Sequence, residues 1–388
     1  MPVNRQHAWG AVVLMVTTAA AIAAAPALRP FSSSDSAKPE SGEEQRVWGQ
    51  AIEFAEEIRK SAIVYRDEPV TAYVQSVMSR LFPEFNGRIR VQVVQAPQLN
   101  AFALPDGDIY VNLGLLARFQ NEAQLATVLA HEGTHFTHRH GFRNQQNLKS
   151  SAAFASVTAM LGVPILPQLV AASSIFGFSR EMESEADSVG YERLARAGYD
   201  VREAPQVFEH LAREVKAEGI DEPYFFASHP KLKERIDNMT KLSAKAAAGG
   251  AGSSRADYAK LMTKVRIDNL ESELSMGRAK SALLMLEEPE HMAGLPPYAA
   301  YYRGEAYRLR GQDGDVLRAE QAYLEAVSAS PEFAPSYRAL GVHYLKANQY
   351  TEAAKHLSRY LELAPAAKDR TYVQNYLKVA QKKMGGQP

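Results

Sequence analysis

Three side chains within five residues, His131, Glu132 and His135, carry the clearest chemistry in the chain, reading H-E-x-x-H in a helix-forming run. Two histidines four apart on a helix are offset by only about 40° at 3.6 residues per turn, so both imidazoles leave the same face. Such a pair suits Zn²⁺. This ion takes neutral imidazole nitrogens at about 2.0–2.1 Å, and in a catalytic site it keeps one position for water beside three protein ligands. Glu132 follows the first histidine directly, so its carboxylate can reach a metal-bound water without being a ligand and serve as general base. The alternative is a helix with these residues and no metal, since three fixed positions in five arise by chance in roughly one or two chains of this length per hundred.

The elements that must position these residues lie in a chain of 388 residues, 46% hydrophobic, long enough for two or three domains with their own cores. Acidic and basic side chains number 44 each, so no net charge draws the protein toward nucleic acid or an anionic membrane. Cysteine is absent. That excludes disulfides, a thiol nucleophile and lipoprotein attachment, and leaves only histidine and carboxylate for any zinc site.

Arg5 precedes an uncharged run over 8–28, which reads as an export signal cleaved after Ala27, giving a signal peptide over 1–27. An uncleaved membrane anchor is the alternative. Residues 28–44 are polar and aperiodic, and read as a flexible tether. Apolar residues at helical spacing over 45–63 and 70–81 predict two core-facing helices. Alternation over 89–94, with short strands at 100–104 and 109–111 around Pro105-Asp106-Gly107-Asp108, predicts a small sheet. A short helical piece at 115–119 then leads to the H-E-x-x-H helix, placed at about 122–138.

Residues 151–178 carry no charge, and Gly162, Pro164 and Pro167 break the run into two apolar helices rather than one membrane span. They either complete the core or form a mobile flap, or a surface for membrane or unfolded substrate. The following acidic segment, 179–191, reads as a helix on which Glu183 and Asp187 share a face. Glu181 and Glu185 form a second pair, read as solvated. His138 and His140 are off the ligand spacing and read as helix-end or supporting residues. After His229 and a basic helix, residues 243–256 form a small-residue linker.

The final third is helical and repeated. Tyr337, Leu340, Gly341, Tyr344, Ala353, Leu357 and Pro365 match the spacing of a tetratricopeptide repeat of about 34 residues. Gly304, Tyr307, Ala319, Tyr323, Ala326 and Pro331 give the preceding unit.

Glu183-Ser184-Glu185-Ala186-Asp187 resembles the E-x-x-A-D signature that follows H-E-x-x-H in HtpX- and BepA-like zinc metallopeptidases, a gluzincin family. The resemblance implies that Glu183 is the third metal ligand and that Asp187 supports a ligand imidazole. It extends over about 48–235. Asn100-Ala101-Phe102-Ala103-Leu104-Pro105 is similar to the family's edge strand, which would pair with extended substrate through Asn100 and Ala101. His229 and Arg235 are similar to a family pair near the metal: His229 would stabilise an oxyanion or fill the fourth metal position at rest, and Arg235 would orient the site.

The expected architecture is therefore an α+β zincin-type peptidase domain over 45–242, with active-site helices and a small sheet, followed by an all-α tetratricopeptide-repeat domain over 257–385. The expected function is that of an exported, periplasmic zinc endopeptidase holding one Zn²⁺ per chain. The resemblance implies quality control of outer-membrane proteins, with unfolded or misassembled protein substrates and a protein partner on the repeats. Peripheral membrane contact through the apolar stretch fits; nucleic acid does not. The alternative is a repeat-based chaperone or assembly adaptor whose peptidase site is held silent by His229.

Overall fold

The structure, a computed structural model, describes residues 28–147, 178–219, 232–244, 250, 255–292 and 294–385. The expected signal peptide, most of the apolar stretch 151–178, most of the linker and His229 lie outside these residues. Among the described residues no helix is long and apolar enough to cross a membrane.

Helix α1, Gly42–Lys60, is capped by Ser41, and α2, Glu68–Leu81, by Asp67, each side chain accepting an amide that has no partner within the helix. Both bury the apolar positions that their spacing predicts, among them Val47, Ala51 and Ile58 on α1 and Val70, Val74 and Val77 on α2. The expected tether over 28–44 is instead packed. The Phe31 amide donates to the Thr137 carbonyl at 2.8 Å, and the Phe31 ring is buried beside Phe136, centroids 5.6 Å apart, and Trp48. Arg139 closes the seam, pairing with buried Glu44 at 2.5 Å and with Glu40 at 2.7 Å. One aromatic in a polar run gives no period to read, which hides this packing from the sequence.

Strands β1 (Arg90–Val94), β2 (Ala101–Ala103) and β3 (Asp108–Asn112) form a mixed sheet in the order β1-β3-β2. β1 runs parallel to β3, Arg90 opposite Asp108, and β2 antiparallel, Ala101 opposite Val111. The turn between β2 and β3 needs its glycine: Gly107 has φ 94°, and a Cβ there would stand 2.9 Å from the Arg88 carbonyl. β2 is an edge strand, as expected, but all three of its residues are buried.

The sheet delivers the chain into α3, Leu113–Arg118, and then α4, Glu122–Thr137, which is buried along its whole length and carries the H-E-x-x-H residues. Helices α5 (His140–Asn147), α6 (Arg180–Arg196), α7 (Ala204–Glu218) and α8 (Leu232–Ser243) surround it.

Four helices follow, α9 (Arg255–Leu261), α10 (Thr263–Ser275), α11 (Ala279–Leu286) and α12 (Pro289–Met292). They share the core of the first half, since Tyr258, Met262, Val265 and Leu270 belong to one buried cluster with Val74, Val77 and Phe119. Arg266, fully buried on α10, donates to the Phe119 carbonyl at 3.1 Å. Helical spacing reports which face is buried but not against what, so the sequence does not reveal this continuity. Two helical hairpins, α13/α14 (Ala299–Arg310, Asp315–Ala329) and α15/α16 (Ala334–Lys346, Tyr350–Leu363), and α17 (Arg370–Met384) complete the chain. Each hairpin closes over a glycine: a Cβ at Gly304 would meet the Tyr323 ring at 2.4 Å, and one at Gly341 the Leu357 side chain at 2.6 Å.

Candidate metal centre

Two close approaches set the geometry of α4. Gly133, inside the motif, lies under the Phe82 ring, where an added Cβ would come within 2.4 Å. On the other side Gly190 of α6 faces Ala130 and His131, and a Cβ there would stand 3.2 Å from the His131 amide nitrogen. The crossing at Gly190 brings the first two turns of α6, with Glu183 and Asp187, against the histidine face of α4.

His131, His135 and Glu183 converge there, all three buried. The two Nε2 atoms are 2.9 Å apart, and Glu183 carboxylate oxygens lie 3.5 Å from His131 Nε2 and 3.4 Å from His135 Nε2. Ligands at 2.0–2.1 Å around a tetrahedral ion are separated by about 3.3 Å. The triangle therefore fits Zn²⁺, and its two imidazoles and one carboxylate suit that ion chemically.

Each imidazole is held from behind. Asp187 Oδ1 lies 2.9 Å from His131 Nδ1, accepting its N–H and leaving the Nε2 lone pair turned toward His135 and Glu183. His135 Nδ1 lies 2.9 Å from His140 Nδ1, whose Nε2 is 3.2 Å from Glu185, itself paired with Arg143 at 2.9 Å. With His135 donating, His140 accepts at Nδ1 and donates at Nε2, a consistent relay to a carboxylate. This corrects the reading of Glu185 as solvated: it is half-buried and holds the second imidazole by way of His140. Glu185's partners His140 and Arg143 lie 45 and 42 positions away in the chain, so no local spacing announces them.

Arg235 spans the other side. It donates to both Asp187 oxygens, at 2.9 and 2.6 Å, and its Nη1 lies 3.1 Å from Glu183. Its guanidinium stacks 4.7 Å from the Phe208 ring centroid. Burial would raise Asp187, but the Arg235 charge and the hydrogen bonds from His131 and Arg235 outweigh it and hold the carboxyl below its ordinary value. Burial, with His131 beside it, pushes His135 well down, a direction that suits a metal ligand. Glu132 is fully buried on the same helix, and its charge reaches Arg235.

Of the residues named from the sequence, His131, His135, Glu183, Asp187 and Arg235 thus come together, with Glu132 beside them. Asn100 and Ala101 lie at the head of the buried edge strand β2. Phe178, not singled out from the sequence, stacks on His135 with centroids 3.7 Å apart and rings inclined by 14°.

Residues 66–243, just under half of the chain, match the family model described as Peptidase family M48. The chain is 39% identical over 149 residues to the mitochondrial metalloendopeptidase OMA1 of Arabidopsis thaliana, covering 37% of this chain and 30% of that protein. It is 27% identical over 199 residues to the beta-barrel assembly-enhancing protease of Escherichia coli (strain K12), covering 47% and 41%. It is 31% identical over 166 residues to OMA1 of Saccharomyces cerevisiae, covering 40% and 47%. The chain thus spans less than half the length of these curated relatives.

Proposed function

From the premise that residues 66–243 form a metallopeptidase domain of the peptidase family M48 kind, we propose that the chain is a zinc-dependent endopeptidase. The observation that carries the reading is the His131–His135–Glu183 triangle with both imidazoles oriented from behind. Bound there, Zn²⁺ would supply a Lewis acid that polarises a scissile carbonyl and acidifies a water. The chain's own residues do the rest. Glu132 takes the proton of the attacking water and carries it to the leaving nitrogen. Asp187 and His140 fix the ligand tautomers, and Arg235 holds Asp187 and Glu183 in place. His229, by resemblance, either stabilises the oxyanion or fills the fourth metal position at rest. β2, which begins at Ala101 just after Asn100, is buried here, so pairing with extended substrate requires that edge to be uncovered; such pairing reads main chain rather than side chains and favours broad sequence tolerance.

We further infer a setting of protein quality control in the periplasm. Support comes from the export-like sequence over 8–28 and from similarity to proteins named beta-barrel assembly-enhancing protease. The hairpins α13–α16, each closed over a glycine, support tetratricopeptide-type repeats that recruit substrate or an assembly partner. The test is cleavage of unfolded casein by the full chain. Cleavage that stops on chelation and returns with Zn²⁺ supports the enzyme; casein binding without cleavage favours the adaptor.

A further inference from the structure

A second set of metal-type donors lies where α7 meets α12. The donor atoms of His210, Glu288 and His291 all fall within 4.8 Å of one another. Both histidines are buried, and each is fixed from behind. His291 Nε2 donates to the Arg118 carbonyl at 2.7 Å, so its lone pair is on Nδ1, 3.3 Å from Glu288 Oε2. His210 Nε2 donates to Gln124 Oε1 at 3.2 Å. That amide cannot be turned round, because its Oε1 also accepts from the Gln120 amide and its Nε2 donates to Glu203, both at 2.9 Å. The His210 lone pair is therefore on Nδ1 as well. Two imidazoles tied at the far nitrogen to protein acceptors, with a carboxylate nearby, are how proteins present metal ligands.

Arg213 now stands among these donors. Its Nη2 lies 2.6 Å from His210 Nδ1, and its Nη1 donates to Glu288. It does not complete the set, because among the described residues no hydrogen-bond donor faces the buried His291 Nδ1. The Arg213 side chain is 43% exposed and has water to move into.

We propose that His210, Glu288 and His291 form a second divalent-cation site that clamps α7 to α12, with Arg213 as the protein's own competitor for it. Two imidazoles and one carboxylate suit Zn²⁺. Through Gln124 and the Arg118 carbonyl, the bound ion would also tie the C-terminal helices to the start of α4. This site does not depend on the peptidase reading.

The test uses the full chain, stripped with chelator and reloaded with Zn²⁺ alone, its metal content measured by elemental analysis after gel filtration. A His131→Ala/His135→Ala chain should keep about one zinc; adding Glu288→Gln, which preserves volume at a partly exposed position, should remove it. Adding Arg213→Ala instead should tighten binding about tenfold or more. Should the double variant fail to fold, Glu288→Gln in the wild-type chain should lower zinc content by about one per chain. A double variant that folds but binds no zinc, or zinc content unmoved by Glu288→Gln, overturns the site.

Discussion

Gly190 of α6 lies so close to α4 that a Cβ there would stand 3.2 Å from the amide nitrogen of His131. This approach, two turns beyond Glu183, sets how near the carboxylate comes to the imidazoles. Gly190→Ala should push α6 out by a few tenths of an ångström and lower kcat/KM on casein by about tenfold while the fold survives. Wild-type turnover in a folded Gly190→Ala chain would remove the crossing from the account.

Gly133 tests the opposite face of α4. A Cβ within 2.4 Å of the Phe82 ring overpacks the junction with α2, so Gly133→Ala should destabilise the chain by about 1–3 kcal/mol. Phe82→Leu should recover part of that loss in the double variant, measured by denaturant unfolding. Additive losses would mean that the ring is not what the added methyl meets.

Asp187 accepts from His131 and pairs with buried Arg235 at 2.6 Å. Asp187→Asn keeps the shape and removes the charge, so zinc affinity at the peptidase site should fall about 10- to 100-fold. Competition with a coloured chelator in a Glu288→Gln background isolates that site. An unchanged affinity would leave Asp187 as packing alone.

Asp106, in the turn before β3, has its carboxyl pushed up to about 6, first by burial and then by the neighbouring Asp108 charge. The folded chain therefore holds this proton more tightly than the unfolded one. Its stabilising effect is complete below the ordinary value of 3.8 and is lost as pH rises through about 6. Asp106→Asn, which mimics the protonated form, should match wild type near pH 4 and exceed it by about 1–3 kcal/mol at pH 7. A gain that is equal at both pH values would assign the effect to something other than titration.

What was legible in the sequence was local. His131 and His135, four apart, and Glu183 and Asp187, four apart, are each fixed by helix geometry, and the strands around Gly107 by alternation and turn chemistry. The contacts between those units were not legible, because they depend on which faces meet. Gly133 and Gly190 read only as small residues until Phe82 and His131 are seen against them. Glu185 looks solvated on its own helix and becomes a support only through His140 and Arg143. Phe31 is invisible in a polar run until Trp48 and Phe136 surround it.

The most direct test of the central claim is the casein cleavage rate of Glu132→Gln, purified with its zinc. If Glu132 moves the proton beside an ion held by His131, His135 and Glu183, the rate should fall about 10²- to 10⁴-fold with zinc content unchanged. Cleavage at the wild-type rate by that variant would contradict the account.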